Sequence, residues 1–213
     1  MSSATFGVSL ERLLESAPVR MGRRVLIKGT SGAGKSTLAA RLARHLGVPH
    51  VELDALHHGP NWRQATASEL RAAAEARLDD ERGWVVDGNY DSKLGPSLLE
   101  RAEHVVWLDL PLGLTLWRLA RRTSRRWWFQ QELWNGNRET LLNAFWGRDA
   151  LFPWAVRAYF RQQREWPTRL AGFPLARLHT LHTPQELEEW FAAFCSASAQ
   201  VPVSARSGDA AKP

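Results

Sequence analysis

The residues with the clearest chemistry lie in a glycine-rich stretch near the start of the chain. Gly29-Thr30-Ser31-Gly32-Ala33-Gly34-Lys35-Ser36 fits the pattern G-x-x-x-x-G-K-[ST] at each fixed position. In this pattern the glycines let the backbone approach an anion, successive N–H groups point inward, and the lysine reaches the outer phosphates. The Ser36 hydroxyl would join a Mg²⁺ shell, and Thr37 would donate to a phosphate. Residues 29–37 therefore predict a site for ATP or another nucleoside triphosphate.

The segments on either side of this stretch are those that a phosphate loop needs. Val25, Leu26 and Ile27 form an apolar run typical of a buried strand, which we predict over Arg24–Lys28. After the loop, apolar residues such as Leu38 and Leu42 recur at helical spacing to about residue 46. A strand, a glycine turn and a helix N-terminus in this order bind phosphate well, because the helix dipole adds to the inward N–H groups.

Strands and helices alternate along the rest of the chain, which predicts an α/β fold with a parallel sheet and helices on both faces. Further strands are expected at His50–Asp54, Trp84–Asp87, His104–Asp109 and about 175–181. We expect Ser68 to cap a helix that continues to about residue 83, and broken helices over 130–170. The last helix begins after Thr183, in an arrangement typical of a capping box.

Three acids, Asp54, Asp87 and Asp109, each follow an apolar strand, and ligands of parallel sheets bind at this edge. Asp87 is the predicted Mg²⁺ acid. Asp54 is two residues beyond Glu52, so both side chains would face the same way in a strand, and Asp54 suits an acceptor hydroxyl as partner or base. Asp109 is the weakest of the three. The alternative for all of them is capping at a strand end.

Arginines cluster in the helix predicted from about residue 112. Arg118, Arg121, Arg122 and Arg125 lie on one helical face. Such a face, with Arg118 and Arg122 as the catalytic candidates, suits the negative charge of a phosphoryl group in transfer. It is equally compatible with a solvated surface, and Trp127 and Trp128 beside it could stack nucleic-acid bases. Arg138 and Arg148 are further candidates for a closing lid, and the adjacent His57 and His58 suit a loop at a ligand mouth.

Composition places limits on the class of protein. The 213 residues are 44% hydrophobic with a formal charge of +6 and one cysteine, Cys195. This composition allows one sizeable domain without an internal disulfide and favours a reducing compartment. No apolar run reaches the roughly 20 residues of a membrane span, and the first residues lack a signal-peptide pattern. We therefore expect a cytoplasmic protein with no membrane partner.

Several segments together resemble a known family. They are Gly29–Ser36, Glu52-Leu53-Asp54, the Trp-Val-Val-Asp-Gly-Asn-Tyr run at 84–90, and the Trp-Asn-Gly-Asn-Arg run at 134–138. Over about residues 22–195 the chain resembles the bacterial P-loop proteins related to adenylate kinase that are often named DNA topology modulation proteins. The resemblance implies a three-layer P-loop NTPase fold, similar to nucleoside monophosphate kinases, with five parallel strands in the order 2-3-1-4-5.

The same resemblance implies an acceptor-binding insertion at about 55–83 and an arginine-bearing lid at about 118–165. We expect a single domain over residues 1–197, and the Ala-, Ser-, Pro- and Gly-rich composition of 198–213 predicts a disordered tail. One departure from the family concerns the acceptor. Adenylate kinases continue Asp-Gly with Phe-Pro-Arg, whereas here Asp87-Gly88 is followed by Asn89-Tyr90-Asp91. The arginine for an acceptor phosphate is therefore missing. Glu52 and Asp54 are more similar to the acids of shikimate and gluconate kinases, in which an aspartate contacts the acceptor hydroxyl.

Three functions remain open from the sequence. The first is an ATP- and Mg²⁺-dependent kinase of a small molecule or nucleotide, whose acceptor cannot be identified from these residues. The second is an NTPase associated with nucleic acid, which the basic and tryptophan-rich segment 118–128 favours. The third is a regulatory nucleotide-binding protein without turnover. The kinase is preferred, because the basic residues lie where a lid is expected and no nucleic-acid motif is recognisable.

Overall fold

A computed structural model describes residues 22–137, 150–172 and 177–199. Its centre is a sheet of five parallel strands in the order β2-β3-β1-β4-β5. This is the predicted fold and strand order. The strands are β1 (Arg24–Gly29), β2 (His50–Glu52), β3 (Trp84–Asp87), β4 (His104–Leu108) and β5 (Leu178–Leu181). Two of the lid candidates, Arg138 and Arg148, and residues 200–213 of the predicted tail lie outside the described residues.

Helices connect these strands. In chain order they are α1 (Lys35–Leu46), α2 (Leu53–His57), α3 (Ala67–Glu75), α4 (Asp91–Leu94), α5 (Ser97–Arg101), α6 (Leu112–Trp128), α7 (Leu151–Leu170) and α8 (Pro184–Ala199). Two short 3₁₀ turns, Pro60–Trp62 and Trp134–Gly136, lie in the connections. Within the described ranges, no helix is long and apolar enough to cross a bilayer.

The core has two parts, one on each face of the sheet. Successive strand residues alternate between them, so Val25 and Ile27 pack with the first part and Leu26 with the second. The first part is closed by α1 and α8, and the second by α3, α5 and α7. The three inner strands β1, β3 and β4 are therefore buried on both faces, which explains why β1 reads as a continuous apolar run.

The second strand is shorter than predicted. It ends at Glu52, and Leu53–His57 form a helical turn. Leu53 is fully buried, and the Cβ that Gly88 lacks would lie 2.8 Å from the Leu53 Cβ. The chain thus turns sharply at Leu53 to fill the core beside the end of β3. As a result Asp54 projects from the first turn of a helix, and the alternation predicted for Glu52 and Asp54 is wrong.

Two helix predictions also need correction. The cap of α3 is Thr66 rather than Ser68, because Thr66 and Glu69 form a capping box and the helix ends at Glu75. The predicted break within 150–170 is absent, since α7 is one helix of 20 residues. Pro153 lies in its first turn, where the backbone N–H of proline would have no partner, and Pro167 lies in its last turn.

Candidate active site

The phosphate loop has the backbone conformation that its glycines predict. Gly29, Gly32 and Gly34 have φ values of 147°, 85° and 97°. A Cβ on Gly32 would lie 2.2 Å from the carbonyl oxygen of Thr115 in α6. Only glycine fits both this conformation and this close approach. The loop is therefore packed directly against the helix that carries the arginine cluster.

Lys35 begins α1 and points back across the loop. Its Nζ donates a hydrogen bond of 3.0 Å to the Thr30 carbonyl oxygen. Burial lowers the pKa of Lys35, while the charges of Asp54 and Asp87 partly oppose that shift. No side chain caps the N-terminus of α1. The first N–H groups of the helix and the lysine thus face the same space, as anion binding requires.

Two carboxylates meet the Ser36 hydroxyl. Its Oγ lies 2.7 Å from Asp87 Oδ2 and 3.2 Å from Glu52 Oε1. The two acids are side by side because Glu52 and Asp87 are register partners at the ends of β2 and β3. Asp87 is 1% exposed and also contacts His50 Nε2 at 2.7 Å. The structure therefore places the predicted Mg²⁺ ligands Ser36 and Asp87 together and adds Glu52.

This oxygen set fits Mg²⁺, which prefers carboxylate, hydroxyl, phosphate and water ligands. In the described ranges there is no group of three His, Cys, Asp or Glu residues that could hold a metal by itself. A Mg²⁺ ion here would thus draw the rest of its ligands from the nucleotide phosphates and water, as is usual for this ion. The sequence predicted no metal role for Glu52. The pairing of the β2 and β3 ends could have indicated one.

Asp54 is a further acid near Lys35. Tyr90, just beyond β3, donates a hydrogen bond of 2.7 Å from its hydroxyl to Asp54 Oδ1. Burial and the nearby Asp54 charge raise the pKa of Tyr90, so its hydroxyl keeps its proton and remains a donor. One carboxylate oxygen is thereby held in place. The other oxygen, Oδ2, is the candidate partner for a substrate hydroxyl.

The arginine cluster divides into two sets. Arg118 and Arg122 line the space above the phosphate loop, as predicted, and Arg126 joins them one turn further along. Arg121 instead lies over the Trp117 ring, with 5.6 Å between the guanidinium carbon and the ring centroid. Arg125 is exposed and lines neither of the cavities described below. The arginines that face the site are thus spaced four residues apart, whereas the predicted face combined spacings of three and four residues.

Two cavities meet above the phosphate loop. The first, of about 520 Å³, is bounded by residues 31–38 and by Arg41, Glu52, Arg118 and Glu188. We call it the donor cavity. The second, of about 530 Å³, is bounded mainly by α2, the 3₁₀ turns, residues 88–93 and α7. We call it the acceptor cavity. Six residues line both: Ser31, Lys35, Asp54, Arg122, Arg126 and Trp134.

Aromatic rings form much of the acceptor cavity. His58 stacks on Trp134 at a centroid distance of 5.8 Å and meets Trp62 edge-on at 5.5 Å. His57 lies 4.7 Å from the Tyr90 ring. Burial lowers the pKa of both histidines, and the Lys93 charge adds to the shift. The two histidines are therefore neutral near pH 7, and their rings serve as walls, in agreement with the prediction that they lie at a ligand mouth.

Asparagines hold the two cavities in position. Asn89 Nδ2 donates a hydrogen bond of 2.6 Å to the Gly29 carbonyl oxygen and so ties the end of β3 to the phosphate loop. Asn137 is 4% exposed, donates to the Gly59 carbonyl oxygen at 2.9 Å, and accepts from the Trp62 N–H at 2.8 Å. These bonds fasten the second 3₁₀ turn onto the first. The sequence analysis assigned no role to either asparagine.

Trp134 links the metal side to the acceptor side. Its Nε1–H donates to Glu52 Oε2 at 3.0 Å, while its ring stacks on His58. Asp109, by contrast, lines neither cavity. Its carboxylate accepts a hydrogen bond from Gln163 and lies 3.2 Å from His182 Nδ1. Of the three acids predicted at strand ends, Asp54 and Asp87 therefore lie at the candidate site, whereas Asp109 connects the end of β4 with α7 and with the residue after β5.

Comparison with known proteins adds three findings. Residues 25–109 match the model of the ATPase family associated with various cellular activities (AAA). The chain is 33% identical over 113 residues to a cytidylate kinase from Natronomonas pharaonis and 31% identical to one from Halobacterium salinarum. Each alignment covers 47% of this chain and 59% of the relative. The chain thus matches about three fifths of the length of these relatives.

Among solved structures, a gluconokinase from Sinorhizobium meliloti aligns with 88% of this chain and 98% of its own, at 19% identity and a TM-score of 0.48. The fold assignment rests on the sheet of this chain itself, whose strand order is β2-β3-β1-β4-β5 and whose central strand is followed by the phosphate loop. By its loop and sheet the chain has a P-loop NTPase fold, and about half of its sequence is similar to cytidylate kinases.

Proposed function

We propose that this protein is an ATP- and Mg²⁺-dependent phosphotransferase that acts on a small-molecule acceptor. The observation that carries the proposal is the meeting of the donor and acceptor cavities at Lys35 and Asp54. An NTPase without an acceptor needs only the first cavity. Here a second cavity of similar volume opens onto the same lysine, so a phosphoryl group leaving the nucleotide would enter it directly.

The residues divide into roles along this path. Lys35 and the loop N–H groups bind the β- and γ-phosphates, and Arg118 and Arg122 stabilise the charge on the group in transfer. Ser36 and Asp87, with Glu52 beside them, would hold Mg²⁺, which when bound neutralises phosphate charge. Asp54 orients the acceptor. The acceptor oxygen attacks the γ-phosphorus, the bond to the β,γ-bridging oxygen breaks, ADP leaves, and the hydroxyl proton passes to Asp54 Oδ2.

The chemical class of the acceptor is narrowed by residue 91. Asp91 stands where adenylate kinases carry the arginine of Asp-Gly-Phe-Pro-Arg, and its carboxylate accepts a hydrogen bond of 2.7 Å from Lys28 Nζ. This speaks against an adenylate-kinase-like acceptor phosphate at that position. Segments 55–83 and 118–165 remain our proposed acceptor-binding region and lid, supported by Trp62, Gln64, Trp134 and Trp154 in the acceptor cavity. That this chain belongs to the adenylate-kinase-related family named in the sequence analysis likewise stays a prediction.

The test is a screen for acceptor-dependent ADP formation. Purified protein with ATP and Mg²⁺ is incubated with nucleosides, nucleoside monophosphates and hydroxy acids, and Lys35→Ala serves as background. We expect one class to raise ADP formation well above the rate without acceptor, and Lys35→Ala to lower the stimulated kcat roughly 10²–10³-fold. ADP formation that no acceptor stimulates, or that survives Lys35→Ala unchanged, would exclude the proposal.

A second candidate, a nucleic-acid-associated NTPase, is favoured by the outer face of α6. Trp117 and Trp128 are 58% and 74% exposed, and Arg121 lies over the Trp117 ring. Exposed rings beside guanidinium groups stack bases in single-stranded complexes. Binding of an oligonucleotide that weakens steeply with salt, and that Trp128→Ala reduces, would support this function. No binding at low salt would leave the kinase or a regulatory nucleotide-binding protein.

A further inference from the structure

A glutamine interrupts the buried stripe of α7. The buried residues of this helix are Ala155, Ala158, Gln162, Trp166 and Leu170, at helical spacing on one face. Gln162 is the polar member of the stripe and is 6% exposed. An amide at such a position is usually satisfied by neighbouring backbone or side-chain groups. The contacts of Gln162 are therefore informative.

Among the residues that the structure describes, the amide oxygen of Gln162 has no hydrogen-bond partner. Its Oε1 is buried and accepts no hydrogen bond, whereas the next residue, Gln163, donates to Asp109. The Gln162 side chain also lines the acceptor cavity. A buried acceptor without a donor destabilises the fold, so such groups in native proteins call for an explanation such as a ligand. Gln162 therefore contributes an unsatisfied acceptor to the wall of the acceptor cavity.

The acceptor cavity combines aromatic walls with unpaired polar atoms, and this combination points to one kind of ligand. His58 also lines it and has an unpartnered buried Nδ1, while its ring stacks on Trp134. Aromatic walls with polar atoms at their edges suit a ring that carries its own polar hydrogens. Asp54, with Oδ1 held by Tyr90, suits a hydroxyl nucleophile, because a carboxylate accepts a proton but repels an incoming phosphate.

We propose that Gln162 is a specificity-determining residue, and that the acceptor is a ring-bearing alcohol. A ring N–H or O–H group donates to Gln162 Oε1, the ring lies against the His58–Trp134 pair, and a hydroxyl of the same molecule faces Asp54. This inference rests on the proposed function for the fate of the hydroxyl. The recognition by Gln162 stands independently and is measurable without phosphoryl transfer.

The test compares Gln162→Met with Gln163→Met. Methionine matches glutamine in length but removes the unpaired oxygen, so the Tm of Gln162→Met should equal or exceed that of the natural protein. The probes are cytidine, shikimate, gluconate and cytidine 5′-monophosphate. Binding is followed by quenching of tryptophan fluorescence and turnover by ADP formation. We expect cytidine or shikimate to bind best, with affinity lowered roughly tenfold or more in Gln162→Met and unchanged in Gln163→Met.

A pair of probes locates the hydrogen bond. If cytidine binds, its analogue with hydrogen in place of the exocyclic amino group removes one donor, and shikimate analogues that lack single hydroxyls do the same. One such analogue should bind the natural protein about tenfold more weakly than its parent compound does. Gln162→Met should bind the analogue and the parent compound equally, since the variant and the analogue each remove the same hydrogen bond.

The outcomes separate this inference from the proposed function. Binding that depends on Gln162 without any ADP formation would support the recognition and reject the kinase. The inference itself is overturned by equal affinities in the natural protein and Gln162→Met, by preference for open-chain gluconate, by phosphorylation of cytidine 5′-monophosphate on its phosphate, or by no binding of either ring alcohol at millimolar concentration.

Discussion

The donor and acceptor cavities have similar volumes but are built in different ways. The donor cavity takes eight of its residues from one continuous run, Ser31–Leu38, where backbone N–H groups and glycine conformations do the binding. The acceptor cavity collects side chains from α2, both 3₁₀ turns, residues 88–93, α6 and α7. A backbone site binds phosphate of any nucleotide, whereas a site of assembled side chains can be changed residue by residue. For the proposed phosphotransferase we therefore expect the acceptor cavity to determine substrate specificity.

The strongest test of this contrast is Asp54→Asn. The amide keeps the hydrogen bond from Tyr90 but no longer takes a proton, so kcat should fall roughly 10²–10⁴-fold. The affinity for ATP, measured by calorimetry, should stay within a factor of about two. The control is Asp109→Asn, since this acid also follows a strand yet lines neither cavity. A large loss of ATP affinity in Asp54→Asn would place the residue on the donor side.

Asp87→Asn tests the opposite side. Asp87 contacts Ser36 at 2.7 Å, so its loss should raise the Mg²⁺ concentration for half-maximal activity by roughly 10–100-fold. Affinity for acceptor without nucleotide should not change. Because Asp87 is buried and bonded to His50, the Tm is measured alongside, and a Mg²⁺ requirement equal to that of the natural protein would remove Asp87 from the metal site.

Trp134→Phe tests the link between the cavities. Phenylalanine retains the stack on His58 but loses the hydrogen bond to Glu52, which is 3.0 Å long. We expect about a fivefold loss in kcat/KM, the equivalent of one ordinary hydrogen bond. Trp128→Phe, at an exposed position, is the matched control. An effect confined to the acceptor KM would show that the hydrogen bond to Glu52 does not affect the metal side of the site.

A last prediction concerns a region that serves neither cavity. His104 and His179 lie 3.1 Å apart between β4 and β5, and burial lowers their pKa values to about 4 and about 3. As the pH falls, histidines in the unfolded chain take up protons near their usual pKa of 6.5, whereas those in the folded protein do so only near pH 4 and 3. The free energy of unfolding is therefore constant above about pH 6.5 and decreases as the pH drops towards these values.

Chemical denaturation between pH 7 and pH 4 measures this loss, which we expect to reach about 3 kcal/mol or more. His179→Phe should flatten the dependence and leave the KM for both substrates unchanged at pH 7. His45→Ala is the control, because His45 is exposed and bonded to Ser198. A pH dependence unaltered in His179→Phe would assign the acid sensitivity to other groups.

Much of the donor side could be predicted because its determinants are local. The strand, the glycines and the start of α1 are contiguous, and each has a conformation that its own residues favour. Asp87 was also predictable, since it follows a buried strand directly. Arg118 and Arg122 line the donor cavity, and their catalytic role stays a prediction. Arg121 and Arg125 line neither cavity, because spacing shows which residues share a helical face but not which of them reach a cavity.

The acceptor side was predicted less well because its residues are distant in sequence. Asp54 was expected at the end of a strand, yet it occupies a helical turn that forms so that Leu53 fills the core. Glu52 joins the metal side only through its register with Asp87. Gln162 shows no signal in the sequence, since a glutamine at a helical core position becomes notable only when its burial and its missing partner are known.

By itself the sequence determined a phosphate loop and its position at the end of a central parallel strand. A glycine pattern achieves this through backbone conformation, which depends on nearby residues. Only the tertiary structure decided which carboxylates flank Ser36, which arginines face the site and what surrounds the acceptor. Those relations join residues as far apart as Glu52 and Trp134, and they arise from strand register and core packing rather than from local preference.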